Sequence, residues 1–227
     1  MLGKRRNLGE TIVIESEYYD WGCSEMTHEG IDDRIRHRTE WALRRQLGIP
    51  NSRRLFVLTC MDERVPIEAA LGIEPGDAHI YRNAGGLVTD DVVRSAMLTC
   101  NFFGTTEIIV VNHTECGMMT ASGDEIYEGL SARLGIDPAT VPLDPVVPDF
   151  GALSPEQFAR WVRTFTDVDQ VCSAQVEFLL SHPLIPKGTT VSGYVYEVES
   201  NALRHPGSRV SEQVSTAEAM RKSATNR

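Results

Sequence analysis

The stretch Leu55-Phe56-Val57-Leu58-Thr59-Cys60-Met61-Asp62-Glu63-Arg64 decides the fold of this chain, together with its counterpart Ile108-Ile109-Val110-Val111-Asn112-His113-Thr114-Glu115-Cys116-Gly117. Each stretch opens with four apolar residues and continues into a polar turn. Short apolar runs bounded by turns are typical of strands that are buried on both faces of a parallel sheet. We therefore predict that the two runs are strands in the core of an α/β domain.

Metal-binding side chains follow both predicted strands at the point where each strand ends. Cys60 follows the first strand, and His113 and Cys116 follow the second. Open parallel sheets place their sites outside the carboxyl ends of the strands, and a Cys₂His set leaves the fourth position of a catalytic zinc free. We predict that these three residues bind one Zn²⁺ per subunit. His113 alone would more simply be a satisfied core histidine, but two cysteines at matching strand ends favour a metal site.

A second pair of polar residues follows Cys60. Asp62 and Arg64 are two residues apart, so in an extended chain their side chains share a face. An adjacent guanidinium lowers the pKa of a carboxyl group, and zinc lowers the pKa of its bound water to about 7. We predict that Asp62 stays ionised and accepts a hydrogen bond from such a water. A purely structural ion pair is the alternative.

Further strands and helices alternate along the chain. We predict strands at residues 78–81 and 189–198, and helices at residues 66–71, 90–103, 154–165 and 168–181. Gly193 in the last strand indicates close packing at that point. Alternating strands and helices favour an α/β fold with a mainly parallel central sheet flanked by helices. Four prolines between residues 135 and 150 predict an irregular loop, and long loops of this kind are usually functional or cover something.

The chain divides into one domain with a polar segment at each end. Residues 1–28 have no clear periodicity and are predicted to be a flexible extension, residues 29–205 a single catalytic domain, and residues 206–227 a polar tail. The apolar positions of residues 29–47 follow a helical period with a strongly charged opposite face. This helix is expected either to lie solvated on the surface or to pack on a second subunit.

Composition disfavours several classes of partner. With 227 residues and 41% hydrophobic side chains the chain is long enough for one sizeable domain, and its formal charge of -10 disfavours binding to nucleic acid or to an anionic membrane. The sequence contains no apolar run near the roughly 20 residues of a membrane span, and no secretory signal pattern opens it. Five cysteines without a Cys-x-x-Cys pair do not resemble a disulfide framework. We expect a cytoplasmic protein.

Three motifs resemble the signatures of the β-class carbonic anhydrase family: Cys60-Met61-Asp62-Glu63-Arg64, Tyr81-Arg82-Asn83-Ala84-Gly85-Gly86 and His113-Thr114-Glu115-Cys116-Gly117. The resemblance spans about residues 53–198, and within the family it is strongest to the carbon disulfide hydrolases. It implies zinc on the two cysteines and the histidine, and an Asp62–Arg64 dyad. It also implies a site near a dimer interface, so we expect a homodimer or a larger homo-oligomer built from dimers.

The resemblance implies that zinc-bound hydroxide attacks carbon disulfide and, through carbonyl sulfide, gives CO₂ and H₂S. The same chemistry would act on CO₂ or carbonyl sulfide, so the ligands do not select among these small neutral substrates. Carbonic anhydrase and carbonyl sulfide hydrolase activities therefore stay open as alternatives. A non-catalytic, zinc-stabilised binding domain is disfavoured, because structural zinc sites take a fourth protein ligand.

Access to the site is the feature that would select an apolar substrate. Carbon disulfide is linear, apolar and a poor hydrogen-bond acceptor, so an entry lined by apolar side chains would suit it. The residues that we consider for this role are Phe102, Phe103, Met118, Met119 and the loop at residues 135–150. Phe and Met are also common in ordinary hydrophobic cores, and that alternative stays open.

Overall fold

A computed structural model describes residues 44–143 and 153–208, and the fold reported below is that of the unit that begins at Gln46. One sheet has the strand order β2-β1-β3-β4-β5. Its strands are β1 (Leu55–Cys60), β2 (Ala78–Asn83), β3 (Glu107–His113), β4 (Thr190–Glu197) and β5 (Ala202–Arg204). The first four are parallel and β5 is antiparallel to β4. The predicted α/β fold with a mainly parallel sheet is confirmed, with the two apolar runs as adjacent central strands.

Five helices connect or follow the strands in the described part of the chain. They are α1 (Ile67–Leu71), α2 (Asp90–Phe102), α3 (Gly123–Leu134), α4 (Pro155–Val162) and α5 (Val168–Ser181). Short 3₁₀ turns lie at Ala84–Gly86, Gly117–Met119 and Pro138–Thr140. The first of these turns follows β2 directly and the second follows β3 after three residues, so both lie at the carboxyl edge of the sheet.

The side chains of β1 alternate between two hydrophobic clusters, one on each face of the sheet. Phe56 and Leu58 pack with residues of α2 and α5, whereas Leu55 and Val57 pack with residues around α1. All six residues of β1 are buried. Burial of both faces explains why this strand is a continuous apolar run in the sequence rather than an alternating one.

Gly193 of β4 confirms the predicted close packing. A Cβ atom at this position would lie 2.8 Å from the Val176 Cγ2 atom and 2.9 Å from the Cys172 sulfur, both on α5. The absence of a side chain therefore allows α5 to pack directly against the sheet.

Three predictions of secondary structure were incomplete or wrong. Residues 123–134 form helix α3, although no helix was predicted there; it begins with a capping box in which Ser122 and Glu125 exchange hydrogen bonds. Helix α4 ends at Val162 because Arg163 adopts a left-handed conformation with φ of 57°, so it is shorter than predicted. The short strand β5 was not predicted, and it pairs with only three residues of β4.

Some predictions fall outside the described residues. They concern the extension at residues 1–28, the amphipathic helix as far as residue 43, residues 144–152 of the proline-rich loop, and the tail beyond residue 208. The proposed domain limits and the cytoplasmic location stay predictions. Among the residues that the structure describes, no helix has the length and apolar character needed to cross a membrane.

Candidate metal centre

Cys60, His113 and Cys116 meet at the carboxyl edge of the sheet. Strands β1 and β3 are parallel with Thr59 opposite Val111, so Cys60 and His113 end neighbouring strands at nearly the same height. The three ligand atoms all lie within 4.8 Å of one another, and all three residues are buried. The two sulfur atoms are 4.0 Å apart. The structure thus brings together the three residues that the sequence predicted as zinc ligands.

The His113 ring is oriented for metal binding. Its Nδ1 atom lies 2.8 Å from the Thr114 carbonyl oxygen, and because a carbonyl only accepts, Nδ1 is the protonated nitrogen. The Nε2 atom is buried and has no hydrogen-bond partner among the described residues. A buried polar atom without a partner is costly, whereas a neutral imidazole held at one nitrogen by a carbonyl is a typical metal ligand. The residues present therefore fit a zinc ion.

The two thiols differ in their protonation. Hydrogen bonding from the Cys116 thiol lowers the pKa of Cys60, and the backbone N–H groups of Asp62 and Gly85 lower it further. Cys116 keeps its proton beside this thiolate, and with the added effect of burial its pKa is raised. A thiolate beside a bare imidazole nitrogen is a donor set that suits Zn²⁺.

Asp62 and Arg64 form the ion pair that their spacing predicted. The Nη2 atom of Arg64 lies 2.8 Å from Oδ2 of Asp62, and hydrogen bonding from this guanidinium lowers the pKa of Asp62 to about 2. Oδ2 is also 3.8 Å from Nε2 of His113. Arg64 donates a further hydrogen bond of 3.0 Å to the carbonyl oxygen of Glu115. The pair is thus adjacent to the metal-binding residues and links the two loops that supply them.

Two residues to which the sequence assigned no role hold these loops. Arg82 donates to the carbonyl oxygens of Cys60 and Val65, each over 3.1 Å, and so fixes both ends of the loop that contains Asp62. Thr114 donates its hydroxyl to Glu199 over 2.6 Å and its backbone N–H to the Tyr196 carbonyl oxygen over 3.0 Å. Arg82 lies within one of the three family motifs, which is the signal that could have indicated its role.

The predicted access residues divide into two groups. The Met118 Cγ atom lies 3.1 Å from where a Cβ atom on Gly85 would be, so Met118 is next to the site. Met119 packs in a small hydrophobic cluster with Val168, Cys172 and Val195. Helix α2 carries Phe102 away from the site, because it leads from the carboxyl edge of the sheet back to the start of β3.

Phe103 follows Phe102 at this distant edge. The next residue, Gly104, accepts a hydrogen bond at its carbonyl oxygen from Arg54, which directly precedes β1. Phe102 is 71% exposed and Phe103 is 37% exposed. The structure therefore does not bring these two residues to the metal-binding group.

A cavity of about 600 Å³ is lined mainly by residues of α2, α5 and the segments that precede each of these helices. Its apolar lining consists of Leu87, Val88, Val93, Phe165, Val171, Ala174 and Phe178, and its polar lining of Thr89, Asp90, Arg163, Thr164, Gln175 and His182. The Leu87 Cγ atom would lie 3.1 Å from a Cβ atom on Gly85, and the backbone N–H of Phe165 donates to the Met118 carbonyl oxygen over 3.3 Å. Two residues of the cavity wall thus adjoin the turns that follow β2 and β3, and none of the three metal-binding residues is among the lining residues.

Comparison with known proteins agrees with this geometry. Residues 55–203 match the family model described as carbonic anhydrase, which is more than half of the chain. The chain belongs to the carbonic anhydrase family. The predicted resemblance to this family is therefore confirmed, and the matched residues include both strands that end in metal-binding side chains.

Relatives within the carbonic anhydrase family differ in their similarity to this chain. Carbon disulfide hydrolase from Acidithiobacillus thiooxidans is 56% identical over 79% of this chain and 90% of its own length. Beta-carbonic anhydrase 1 from Mycobacterium tuberculosis is 32% identical over 76% of this chain and 94% of its own length. Among solved structures, the apo form of carbon disulfide hydrolase matches with a TM-score of 0.70 and 52% identity, over 83% of this chain and 96% of that chain.

Proposed function

We propose that this chain is a zinc-dependent carbon disulfide hydrolase, which converts CS₂ and two waters through carbonyl sulfide to CO₂ and two H₂S. One observation carries the proposal: a relative named carbon disulfide hydrolase is 56% identical, against 32% for a β-carbonic anhydrase, and both comparisons cover most of the chain. Cys60, His113 and Cys116 would hold the metal, because they are the buried cluster of three possible ligands in the described residues.

The ligand residues would hold zinc, and the Thr114 carbonyl oxygen would keep the His113 ring in place by accepting from its Nδ1–H group. Zinc, when bound, supplies a Lewis acid that lowers the pKa of water to about 7 and so provides a nucleophile near neutral pH. The two cysteine side chains would neutralise the charge of the ion when both are deprotonated. Metal binding requires deprotonated thiols, so zinc uptake would release the proton that Cys116 holds beside the Cys60 thiolate.

Asp62 would orient the attacking water and accept its proton. Its carboxylate is ionised, lies 3.8 Å from Nε2 of His113, and is held there by Arg64. A carboxylate that is acceptor-only can bind the hydrogen of the attacking water and direct a lone pair of that water toward the carbon of the substrate. Because Arg64 binds this carboxylate, Asp62 is not free to become a fourth metal ligand. A set of three protein ligands favours a catalytic site over a structural one.

The surroundings of the site suit an apolar substrate. The cavity near Gly85 and Met118 has seven apolar lining residues beside six polar ones, and its apolar part would cost a neutral molecule little hydration energy. Bicarbonate, the product of CO₂ hydration, is charged and would be disfavoured in that apolar part. We therefore infer that the substrate passes along the apolar side of the Cys116–Met118 loop, and that CO₂ hydration is the weaker activity.

We further propose that the protein assembles as a homodimer or a multiple of one. Family resemblance supports this proposal, and several large apolar side chains are exposed in the described part of the chain, among them Phe102, Leu180 and Leu184. Exposed apolar side chains of this size are common at contacts between subunits. Light scattering at micromolar concentration measures the assembly directly, and an active monomer would contradict the proposal.

Parallel kinetics on one zinc-loaded preparation test the function. Steady-state release of H₂S from CS₂ and from carbonyl sulfide is measured beside stopped-flow hydration of CO₂. We expect turnover of both sulfur substrates and slow CO₂ hydration. Fast CO₂ hydration without H₂S release would instead identify a carbonic anhydrase, and zinc binding without any turnover would favour a binding domain.

A further inference from the structure

Two buried amide side chains, Asn112 and Gln175, lie directly behind the metal centre. Asn112 is fully buried and immediately precedes His113 at the end of β3. Gln175 is 7% exposed and belongs to α5, which packs against β3 and β4. Neither side chain is among the metal-binding residues, and neither is explained by the roles assigned above.

The two amides form one satisfied network. The Nδ2 group of Asn112 donates to the carbonyl oxygens of Gly85 and Gly86, over 2.8 and 3.1 Å. The Nε2 group of Gln175 donates to Oδ1 of Asn112 over 3.1 Å, and Oε1 of Gln175 accepts from the backbone N–H of Val88. Because every amide group has a partner, the network fixes the orientation of both side chains and of the turn that they bind.

The Gly85–Gly86 turn connects this network to Cys60. The carbonyl oxygen of Gly85 accepts from Asn112, and the backbone N–H group of Gly85 helps to lower the pKa of Cys60. Gly86 packs so closely that a Cβ atom there would lie 2.8 Å from the backbone nitrogen of Cys60. Any movement of the turn would therefore change both the position of Cys60 and the surroundings of its sulfur.

We propose that Asn112 and Gln175 are positioning residues that hold the Gly85–Gly86 turn against Cys60 and so set how this thiolate binds the metal. The proposal rests on the proposed function only in assigning the metal to Cys60, His113 and Cys116. An N–H donor stabilises the sulfur electrons and limits the charge that the thiolate transfers to the ion. Partners outside the ligand shell tune metal sites in this way, and their loss costs about 10- to 100-fold in metal affinity.

The alternative is that the two amides only stabilise the fold. Removing either one would leave buried polar groups unpaired, which destabilises a protein whatever its metal site does. Stability alone therefore does not separate the two roles. The electronic state of the metal–sulfur bond does separate them, since a purely structural role would leave it unchanged in the folded protein.

Cobalt substitution provides this measurement. Co²⁺ replaces Zn²⁺ in the full chain, and the sulfur-to-cobalt charge-transfer band is recorded for the unsubstituted protein, Asn112→Leu and Gln175→Met. Zinc affinity is measured in the same proteins by competition with a chelator. Gln170→Met is the matched control, because Gln170 lies on the same helix but is exposed.

We expect the band to shift to lower energy and the zinc affinity to fall about 10- to 100-fold in Asn112→Leu, with a smaller change in the same direction in Gln175→Met. Gln170→Met should match the unsubstituted protein. If Asn112→Leu does not fold, Asn112→Ser, which keeps one hydroxyl donor, is used with Gln175→Met. A band at the original energy with zinc affinity within twofold in the folded variants would overturn the proposal.

Failure of the positioning role can be distinguished from failure of the proposed function. If the unsubstituted protein binds zinc and cobalt but releases no H₂S from CS₂, the proposed activity is wrong while the band shift and affinity loss still support the positioning role. If H₂S is released and neither quantity changes in the variants, the positioning role is wrong and the activity stands. Failure of the unsubstituted protein to bind cobalt or zinc would overturn both.

Discussion

The Arg64 guanidinium binds both oxygens of the Asp62 carboxylate, with Nη2 2.8 Å from Oδ2 and Nε 3.0 Å from Oδ1. This paired geometry keeps Asp62 ionised and turned toward the metal-binding residues, 3.8 Å from Nε2 of His113. Two-point binding of a planar guanidinium fixes direction as well as charge. Asp62 therefore has a defined orientation before any substrate arrives.

Replacing Asp62 by Asn should separate catalysis from metal binding. Asp62→Asn removes a charged acceptor but leaves Cys60, His113 and Cys116 in place, so we expect full zinc occupancy and a loss of activity of about 100-fold or more. Asp77→Asn is the matched control, since Asp77 also pairs with an arginine, Arg53, over 2.9 Å. Elemental analysis and H₂S release measure the two quantities. Unchanged kinetics in Asp62→Asn would mean that the pair is structural only.

Loss of any metal-binding side chain should remove zinc. Cys60→Ala, His113→Ala and Cys116→Ala each delete one of the three clustered ligand atoms, so we expect less than stoichiometric zinc and no turnover. Cys100→Ala is the control, because Cys100 is also buried but belongs to the core between α2 and the sheet. Zinc is counted per chain by elemental analysis. Full occupancy in Cys116→Ala would remove Cys116 from the ligand set.

The effect of an alanine at Gly86 can be compared with the effect of an alanine at Gly72. Both have left-handed backbones, with φ of 61° and 59°, so an alanine costs about 1–2 kcal/mol at either site. A Cβ atom at Gly72 meets nothing within 4 Å, whereas at Gly86 it would lie 2.8 Å from the Cys60 nitrogen. We expect Gly86→Ala to lose about a further 1–3 kcal/mol of unfolding free energy and to lower zinc affinity. Denaturant unfolding measures both variants. Equal losses of unfolding free energy in Gly86→Ala and Gly72→Ala would show that the close approach of Gly86 to Cys60 is unimportant.

Acid should weaken the ion pair between Arg204 and Asp169. Hydrogen bonding from Arg204 lowers the pKa of Asp169, so the folded state favours the ionised carboxylate. The stability from this pair is present above the ordinary carboxyl pKa of about 3.9 and is lost as pH falls through the lower folded value. We expect Asp169→Asn to be less stable than the unsubstituted protein by about 1 kcal/mol at pH 7 and the difference to shrink toward pH 3. Urea unfolding at fixed protein concentration measures the stability of both proteins at each pH. A stability difference that does not change with pH would contradict this expectation.

The central part of the fold was predictable because its signals are local. The apolar runs that became β1 and β3 are buried on both faces, and the cysteine and histidine residues follow them directly. The parallel register that brings Cys60 close to His113 follows from the general rule for parallel sheets. These predictions needed no knowledge of contacts between distant segments.

Other features depend on contacts that no local pattern reveals. Gln175 lies 63 residues from Asn112, and its position on α5 indicates only a buried helix face until the packing of α5 on the sheet is known. Phe102 and Phe103 were predicted near the substrate because they are apolar, but the direction of α2 places them at the opposite edge. Helix α3 has a capping box at Ser122, which is a local signal that the prediction overlooked.

The route to the metal determines the last prediction. Phe165 forms part of the apolar cavity wall, and its backbone binds the Met118 carbonyl oxygen beside the metal loop. An apolar passage disfavours bicarbonate, because burying an unpaired charge costs at least several kcal/mol. At about 1.4 kcal/mol for each tenfold change in rate, this cost would slow release of the charged product by several powers of ten.

Phe165→Ala should therefore open the passage to water and raise CO₂ hydration relative to CS₂ hydrolysis. The ratio of the two kcat/KM values is the measurement, because it is independent of the fraction of active protein. Phe103→Ala removes the same side chain at the opposite edge of the sheet and is measured in parallel. A ratio that changes in Phe165→Ala alone supports entry beside Met118, since the Phe165 backbone binds the Met118 carbonyl oxygen. A change in Phe103→Ala alone would mean that the substrate approaches from the other edge and that the cavity is not the route.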